Sequence, residues 1–399
     1  MVQLGIVGTG GRSLALSLAV FRNPNAQIVA VTDKNPLRVT EYFRRLKNKG
    51  QDISKISSFR SLDTFLQSDD FSAVLITTPD FSHKDIAIAA LEAGKDVYLE
   101  KPMALTVRDA KKIVQTAQAR GRLLQIGFVL RYTPFYRKVK EIVDSGVLGR
   151  MISVEAGEIL SRMHGASYMR RWHRKRQNSG NFMLTKCSHD LDILNWLIGE
   201  KVKRVASFGG VNYFLPDPSK GPTCSTCNPA IRRTCPYVFG EEFVMVPEEE
   251  KSDYGKNGWD LCVFNDDKDI VDNQISLIEY ENGVRVTFLL SAFGDEEDNR
   301  FIRIVGSRAR LEGHFEGNEI RVKSTTGDEE VIYKIDSTGS GHGGGDQKIV
   351  DDLILCLQGE KPPLAGATAG FESTVVAEAI DRALLSGQVE EVNPADYAL

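Results

Sequence analysis

The chain has 399 residues, more than one hydrophobic core usually organises, so two domains, or one with a large insertion, are expected and a single small module is excluded. With 42% hydrophobic and 26% charged residues, it carries too much apolar material to stay disordered. Its 50 basic and 54 acidic residues give a net charge of -4, which provides no overall attraction to nucleic acid or to an anionic membrane surface.

The stretch from Met1 to Gly8 lacks the basic leader and small-residue cleavage site of a secretory signal. No window approaches the roughly 20 apolar residues that span a bilayer. A soluble cytoplasmic protein is expected, and in that compartment the six cysteines read as free thiols or metal ligands rather than disulfides.

The N-terminal third alternates strand and helix. Residues 3–8 read as a short buried strand and 27–32 as a second, with a helix from Ser13 to about Phe21 between them. Apolar runs at 73–77, 96–99 and 123–127 continue the rhythm, and 84–93 suit a helix ending at Gly94. Such a pattern predicts a doubly wound parallel sheet.

Its first strand-to-helix turn is Gly8-Thr9-Gly10-Gly11-Arg12-Ser13, the first two glycines of a dinucleotide fingerprint with Ser13 at the third. Gly8 permits the tight turn, Gly10 lets backbone amides approach a pyrophosphate, and the helix N-terminus attracts the anion. Asp33 follows at the end of the second strand, as ribose recognition requires. A carboxylate there accepts hydrogen bonds from the ribose hydroxyls and repels a 2′-phosphate, favouring NAD over NADP. Neighbouring Lys34 and Arg38 offset that repulsion and keep NADP open.

Two further turns lie at the carboxyl edge of the sheet, where ligands bind in such folds. One is Thr77-Thr78-Pro79-Asp80-Phe81-Ser82-His83 and the other Glu100-Lys101-Pro102. With the first turn and Asp33, the residues Thr78, Pro79, His83 and Glu100 make up the candidate cofactor set. Lys101 reads either as a solvated surface lysine or as a proton-transfer group. Beside a nicotinamide its pKa of about 10.4 would fall toward roughly 7 to 8.

In these motifs, together with Gly127-Phe128-Val129-Leu130-Arg131-Tyr132-Thr133-Pro134 and the segment around His189, the chain resembles the Gfo/Idh/MocA family, which includes glucose-fructose oxidoreductase and inositol dehydrogenase. The resemblance implies a Rossmann domain, placed at 1–126, followed by an α+β domain with an open, mostly antiparallel sheet at 127–399. It also implies a catalytic role for Lys101, a substrate-side role for Arg131, and a homodimer or homotetramer formed through the outer sheet face.

Family members usually carry an Asp four residues before a site His on a helix. Here His189 matches, but the Asp is replaced by Thr185. Helical spacing puts both on one face, so Thr185 can hydrogen-bond a sugar hydroxyl but cannot act as a carboxylate base. Proton transfer then falls to Lys101 and His189. Lys186 either enters the site as a second cation or points away.

The run Arg170-Arg171-Trp172-His173-Arg174-Lys175-Arg176 is the densest basic stretch. It is too short, and too poor in aromatics, to suggest nucleic acid. It reads as a solvated loop, or as a carbohydrate contact in which Trp172 stacks on a sugar ring while His173 or an arginine meets its polar groups.

A Cys-rich insertion at about 214–262 breaks the strand rhythm. Cys224 and Cys227 form a Cys-x-x-Cys pair, and Cys235 and Cys262 complete a possible tetrahedral zinc set,. Free thiols or one disulfide are the alternatives. Structural zinc is favoured because an irregular loop has little core of its own. Cys187 and Cys356 read as apolar fillers.

Beyond it, 273–280 and 284–290 form a hairpin around Asn282-Gly283, and 300–306, 319–323 and 330–335 extend the sheet. Gly-rich 339–345 precedes a helix at 347–357 with Asp346 as its N-cap. That stretch reads equally as a linker or as a cover in which His342 closes over the site. A last helix runs from about 368 to 386.

The leading expectation is an NAD-dependent oxidoreductase acting on a hydroxyl-bearing carbon of a sugar, inositol or glycoside. The alternatives are an NAD-dependent glycosidase working by transient oxidation and elimination, and a non-catalytic NAD or sugar sensor.

Overall fold

The computed structural model describes residues 1–238, 258–337 and 342–399, and the chain divides into two units. The first gathers Met1–Lys138, Asp336–Val375 and Pro394–Leu399; the second gathers Val139–Ile335 and Val376–Asn393.

The first unit opens with β1 (Val2–Val7), α1 (Gly11–Arg22), β2 (Ala26–Thr32), α2 (Pro36–Asn48), β3 (Ser57–Phe59), α3 (Leu62–Leu66), β4 (Ala73–Ile76), α4 (His83–Glu92), β5 (Asp96–Leu99), α5 (Val107–Arg120) and β6 (Leu124–Ile126). All strand pairs are parallel, in the order β3-β2-β1-β4-β5-β6. The four residues of β4 are all buried, because helices on both faces of a parallel sheet remove the polar alternation,. Helices start where side chains satisfy their first amides: Asn35 accepts from Leu37, Ser61 from Thr64 and Thr106 from Asp109,. Strand order reverses between β1 and β4, the switch point at which such sheets bind ligands.

A helix α6 (Pro134–Asp144) leads out of this sheet. In the second unit follow β7 (Met151–Ser161), α7 (Arg162–Arg170), α8 (Arg176–Ser179), α9 (Phe182–Ile198), β8 (Val202–Gly210), α10 (Pro229–Thr234), β9 (Asn273–Tyr280), β10 (Arg285–Asp295), β11 (Asn299–Gly306), β12 (Ala309–His314), β13 (Glu319–Ser324) and β14 (Glu330–Lys334). The chain ends through α11 (Gly345–Leu357), α12 (Ala367–Ser386) and β15 (Glu390–Glu391). The second sheet runs β14-β13-β12-β11-β7-β10-β9-β8-β15, and only β7 and β10 are parallel. The Asn-Gly hairpin forms as expected, with Gly283 at φ +82 and its amide donating to Tyr280,. Along β9, Ile275 and Leu277 are exposed while Gln274 and Ser276 are buried. Phe208 pairs with Ile275 across the strands and is 69% exposed, so the outward face of this edge is apolar.

The division differs from the expected break at 126/127 in two respects: the first unit runs on to Lys138, and Asp336–Val375 and Pro394–Leu399 return to it. There α11 lies along α1, with Arg22 Nε 2.8 Å from Gln347 Oε1 and Asn23 Nδ2 2.7 Å from Asp351 Oδ1. Asp346 is not the N-cap of α11. Gly344, at φ +87, caps it, and Asp346 sits in the first turn with its carboxylate directed at Arg12.

Candidate functional site

The predicted site residues form two sets, one on each unit. On the first unit the turn after β1 is fixed from beneath. The Gly8 amide donates to Thr32 O, and Thr77 Oγ1 donates to Gly8 O at 2.6 Å. Gly8 holds φ +89, and a Cβ there would fall 2.7 Å from Thr78 Cγ2, so only glycine fits,. Above the turn the situation is opposite: a Cβ on Gly10 or Gly11 would meet nothing within 4 Å. That open cradle at the start of α1, whose first amides have no intrahelical partner, suits a pyrophosphate. Ser13 is fully buried and its hydroxyl donates to Gly10 O. Its small side chain lets α1 sit close to the sheet.

Asp33 stands at the end of β2. Its Oδ2 accepts the amide of Thr9 at 2.8 Å and the Thr9 hydroxyl at 3.1 Å, while Oδ1 accepts the Asn35 amide. Thr9 therefore serves the set by orienting Asp33. His83 also differs from expectation. It is wholly buried, its ring nitrogens 2.7 Å from Pro102 O and 2.9 Å from Thr78 O. It ties the two strand-end turns together from below rather than facing a ligand. Beside it Ser82 donates to Thr78 Oγ1 and to Pro79 O.

Arg12, expected among the cofactor contacts, is turned inward. Its Nε lies 2.5 Å from Glu100 Oε1, its Nη1 bonds Asp346, and its Nη2 is 3.4 Å from the Tyr98 hydroxyl. Glu100 accepts the Tyr98 hydroxyl at 2.8 Å and, on Oε2, the Lys101 amide at 3.2 Å. Burial works against the guanidinium charge, but Glu100, Tyr98 and Asp346 hold its pKa well above the ordinary arginine value,. Lys101 is half-buried, and the Lys101–Pro102 peptide is cis. Arg131 is buried and donates to Leu364 O at 2.9 Å, so in this unit it anchors the returning segment. Tyr132 does the same through Asp352.

On the second unit, α9 carries the substrate-side set. Asn181 caps it, accepting from the Leu184 amide. Thr185 and His189 are both buried, at 1% and 7% exposure. Lys186 takes the second of its two expected placements: it points into a buried pair with Glu158, 2.7 Å away. Arg300 lies 2.6 Å from the same carboxylate and 2.7 Å from Asp190. Burial would raise the Glu158 pKa, but Arg300 and Lys186 hold it below the usual carboxylate range, and Glu158 in turn raises Lys186 against its own burial,. Among the described residues Glu158, Cys187 and Asp190 are the one trio with metal-ligand atoms within 4.8 Å. Two cations already neutralise those carboxylates, which makes this an ion-pair network rather than a metal centre.

The basic run is neither a solvated loop nor an open sugar platform. Arg170 is 1% exposed and donates to Tyr237 O and Trp259 O. Arg171 lies over the Trp259 ring, Arg174 and Lys175 pair with Asp267, and Arg176 pairs with Asp381. Trp172 is buried, and one of its faces is covered by His173, with ring centroids 3.7 Å apart. Its expected stacking role is therefore reassigned: it packs on His173.

The zinc expectation is not supported. Cys224, Cys227, Cys235 and Cys262 are all free thiols, and among the described residues they do not form a group of ligand atoms within 4.8 Å of one another. Residues 239–257 of the insertion lie outside the described residues, but its described part is packed. Phe214 and Tyr237 are buried, 5.2 Å apart and each 5.7 Å from Phe264, and Tyr213 stacks on Phe293 at 4.3 Å. Asp272 accepts the amides of Asn212, Tyr213 and Phe214, and the Asn265 side chain ties Asp217 to Lys220. These contacts tie the described part of the insertion together without a metal cross-link.

One pair escaped the sequence reading. His164 Nδ1 lies 2.7 Å from Asp298 Oδ2, while Asp298 Oδ1 accepts the Ser161 amide. Burial opposes the Asp298 charge, but His164 holds its pKa below the usual range. Both side chains remain about one-third exposed, a base-and-orienter geometry. No motif announces it, because 134 residues separate the partners.

Comparison with known proteins bears on these two sets together. The family model described as "Oxidoreductase family, NAD-binding Rossmann fold" matches residues 2–128, and that described as "Oxidoreductase family, C-terminal alpha/beta domain" matches 140–392. The chain belongs to the Gfo/Idh/MocA family of oxidoreductases.

Among relatives, "Putative oxidoreductase YteT" of Bacillus subtilis (strain 168) is 28% identical over 393 residues, covering 90% of this chain and 89% of its own. Inositol 2-dehydrogenase of Ralstonia nicotianae is 29% identical over 211 residues, 50% of this chain and 55% of that one. In fold, the chain resembles levoglucosan dehydrogenase in complex with NADH and levoglucosan, with a TM-score of 0.76 at 18% identity, covering 98% of this chain and 99% of that one. Among the described residues no helix is long and apolar enough to cross a membrane.

Proposed function

We propose that this chain is an NAD-dependent oxidoreductase that oxidises a hydroxyl-bearing carbon of a sugar, inositol or glycoside. The observation that carries the reading is the pairing, on one unit, of an open glycine cradle beside Asp33 with a Lys101 whose backbone is held by buried Glu100. The named activities of the inositol 2-dehydrogenase and levoglucosan dehydrogenase relatives point to the same substrate class. When bound, NAD supplies a hydride acceptor at its nicotinamide ring. Lys101 accepts the substrate hydroxyl proton at Nζ, and on the second unit His189 offers a hydrogen bond to substrate. Thr185 orients a neighbouring hydroxyl. Asp33 selects NAD over NADP. The apolar outward face at Phe208, Ile275 and Leu277 would be covered by a second copy of the chain,.

A second reading, glycoside cleavage by transient oxidation, is favoured by two features. Thr185 removes a carboxylate base, and His164 with Asp298 offers another acid–base pair on the same unit. A screen of sugars, inositols and aryl glycosides with NAD and NADP separates the two if NADH formation and glycoside release are both followed. Lys101→Ala should abolish turnover while NAD binding, followed by fluorescence, persists. Full activity in that variant would remove Lys101 from the mechanism.

A further inference from the structure

Arg12 occupies the second position of α1, directly after the glycine cradle, where a cation would ordinarily be directed at a phosphate. Its fork is instead distributed over Glu100, Asp346 and Tyr98. The Glu100 oxygen opposite Arg12 accepts the Lys101 amide, so guanidinium, carboxylate and Lys101 backbone form one chain of charge-assisted hydrogen bonds,. Glu100 and Asp346 are 7% and 3% exposed. Gly127 presses bare backbone against the Glu100 carboxylate, where a Cβ would come within 2.9 Å. At the far end of this chain of bonds His342 Nδ1 lies 3.2 Å from Asp346 Oδ1.

We propose that Arg12 is a positioning residue for Lys101, and that Asp346 in the first turn of α11 holds Arg12 in that task. The inference rests on the reading of Lys101 as the proton-transfer group. Without the guanidinium, Glu100 is a buried carboxylate short of its cation, which must protonate or turn away. Turning away releases the Lys101 amide, and protonation weakens the bond to it by removing the carboxylate charge. A lysine at position 12 restores the charge but not the fork that reaches Glu100, Asp346 and Tyr98 together. The start of α11 and His342 before it then belong to the scaffold of the catalytic turn, while residues 339–341 lie outside the described residues.

Two measurements on the full chain test this. Competitive acetylation read by mass spectrometry reports the reactivity of Lys101 relative to the other lysines, and needs neither cofactor nor substrate. Arg12→Met and Asp346→Asn should each change it by about threefold or more, because both loosen the same chain of bonds. On a substrate that the wild type turns over, Arg12→Met should lower kcat about 100-fold with KM for NAD little changed, the cost of roughly an ångström of misplacement. Arg12→Lys should not recover it. The double variant should be no worse than Arg12→Met, since Asp346 acts through Arg12. Unchanged Lys101 reactivity in both variants, or additive losses in the double variant, would overturn the inference. Should Arg12→Met fail to fold, Asp346→Asn keeps the shape of the site and carries both readouts. Retained turnover in Lys101→Ala would bring down the underlying reading. An inactive Lys101→Ala beside a fully active Arg12→Met would bring down this inference alone.

Discussion

Asp33 is fixed before any ligand arrives: three donors from Thr9 and Asn35 occupy its two oxygens. A carboxylate that cannot swing away discriminates against a 2′-phosphate more sharply than a mobile one, whatever Lys34 and Arg38 contribute. Asp33→Ser is therefore expected to shift the NADP-to-NAD affinity ratio about tenfold or more toward NADP, or roughly 1.4 kcal/mol. Fluorescence titration of both cofactors measures it, and an unaltered ratio would place the discrimination elsewhere. At this scale the sequence was informative wherever a role follows from local spacing, as at Gly8, Gly10 and Asp33. It was misleading where a side chain chooses its direction. Arg12, His83 and Trp172 lie in the right segments but point into the protein, Arg12 toward Glu100 and Asp346, His83 between Pro102 O and Thr78 O, and Trp172 against His173.

Among the elements, α9 shows the same divide. The Thr185–His189 spacing reads as a helix, yet every residue from Phe182 to Leu194 is buried, including Lys186, His189, Asp190 and Asp192. A helix in an antiparallel-sheet domain ordinarily keeps one polar face in water. This one replaces water with the Glu158 and Arg300 side chains of β7 and β11. Glu158→Gln removes the anion facing two buried cations, and about 3 kcal/mol or more of stability should go with it. Urea denaturation of the variant checks this, and a loss below about 1 kcal/mol would mean that the network behaves like surface pairs. The strand β7 was not anticipated, because its buried Ala156-Gly157-Glu158 run breaks the alternation expected of a half-buried strand,.

The whole molecule is organised by a chain that leaves its first unit and comes back. Asp346 marks the return: its pKa is pushed down to about 2, against its own burial, by His342 and Arg12. A depressed carboxylate contributes stability above its ordinary pKa of about 3.9, and that contribution is lost as pH falls toward 2. The wild type should therefore lose ~2 kcal/mol from this group between about pH 4 and pH 2. Thermal unfolding of Asp346→Asn should show a shallower fall over that window, and parallel curves would show that Asp346 is not coupled to the fold in this way. The sequence by itself determined the doubly wound sheet, the glycine cradle, the antiparallel hairpin and the family, because each is written in spacings of a few residues that backbone geometry converts directly into shape. Only the tertiary structure decided where the charges go. The basic run was spent on backbone carbonyls, Asp267 and Asp381, the described part of the cysteine loop packs through aromatic rings, and the last third of the chain was divided between two units. Those outcomes depend on partners tens to hundreds of residues away, which local pattern cannot bring together.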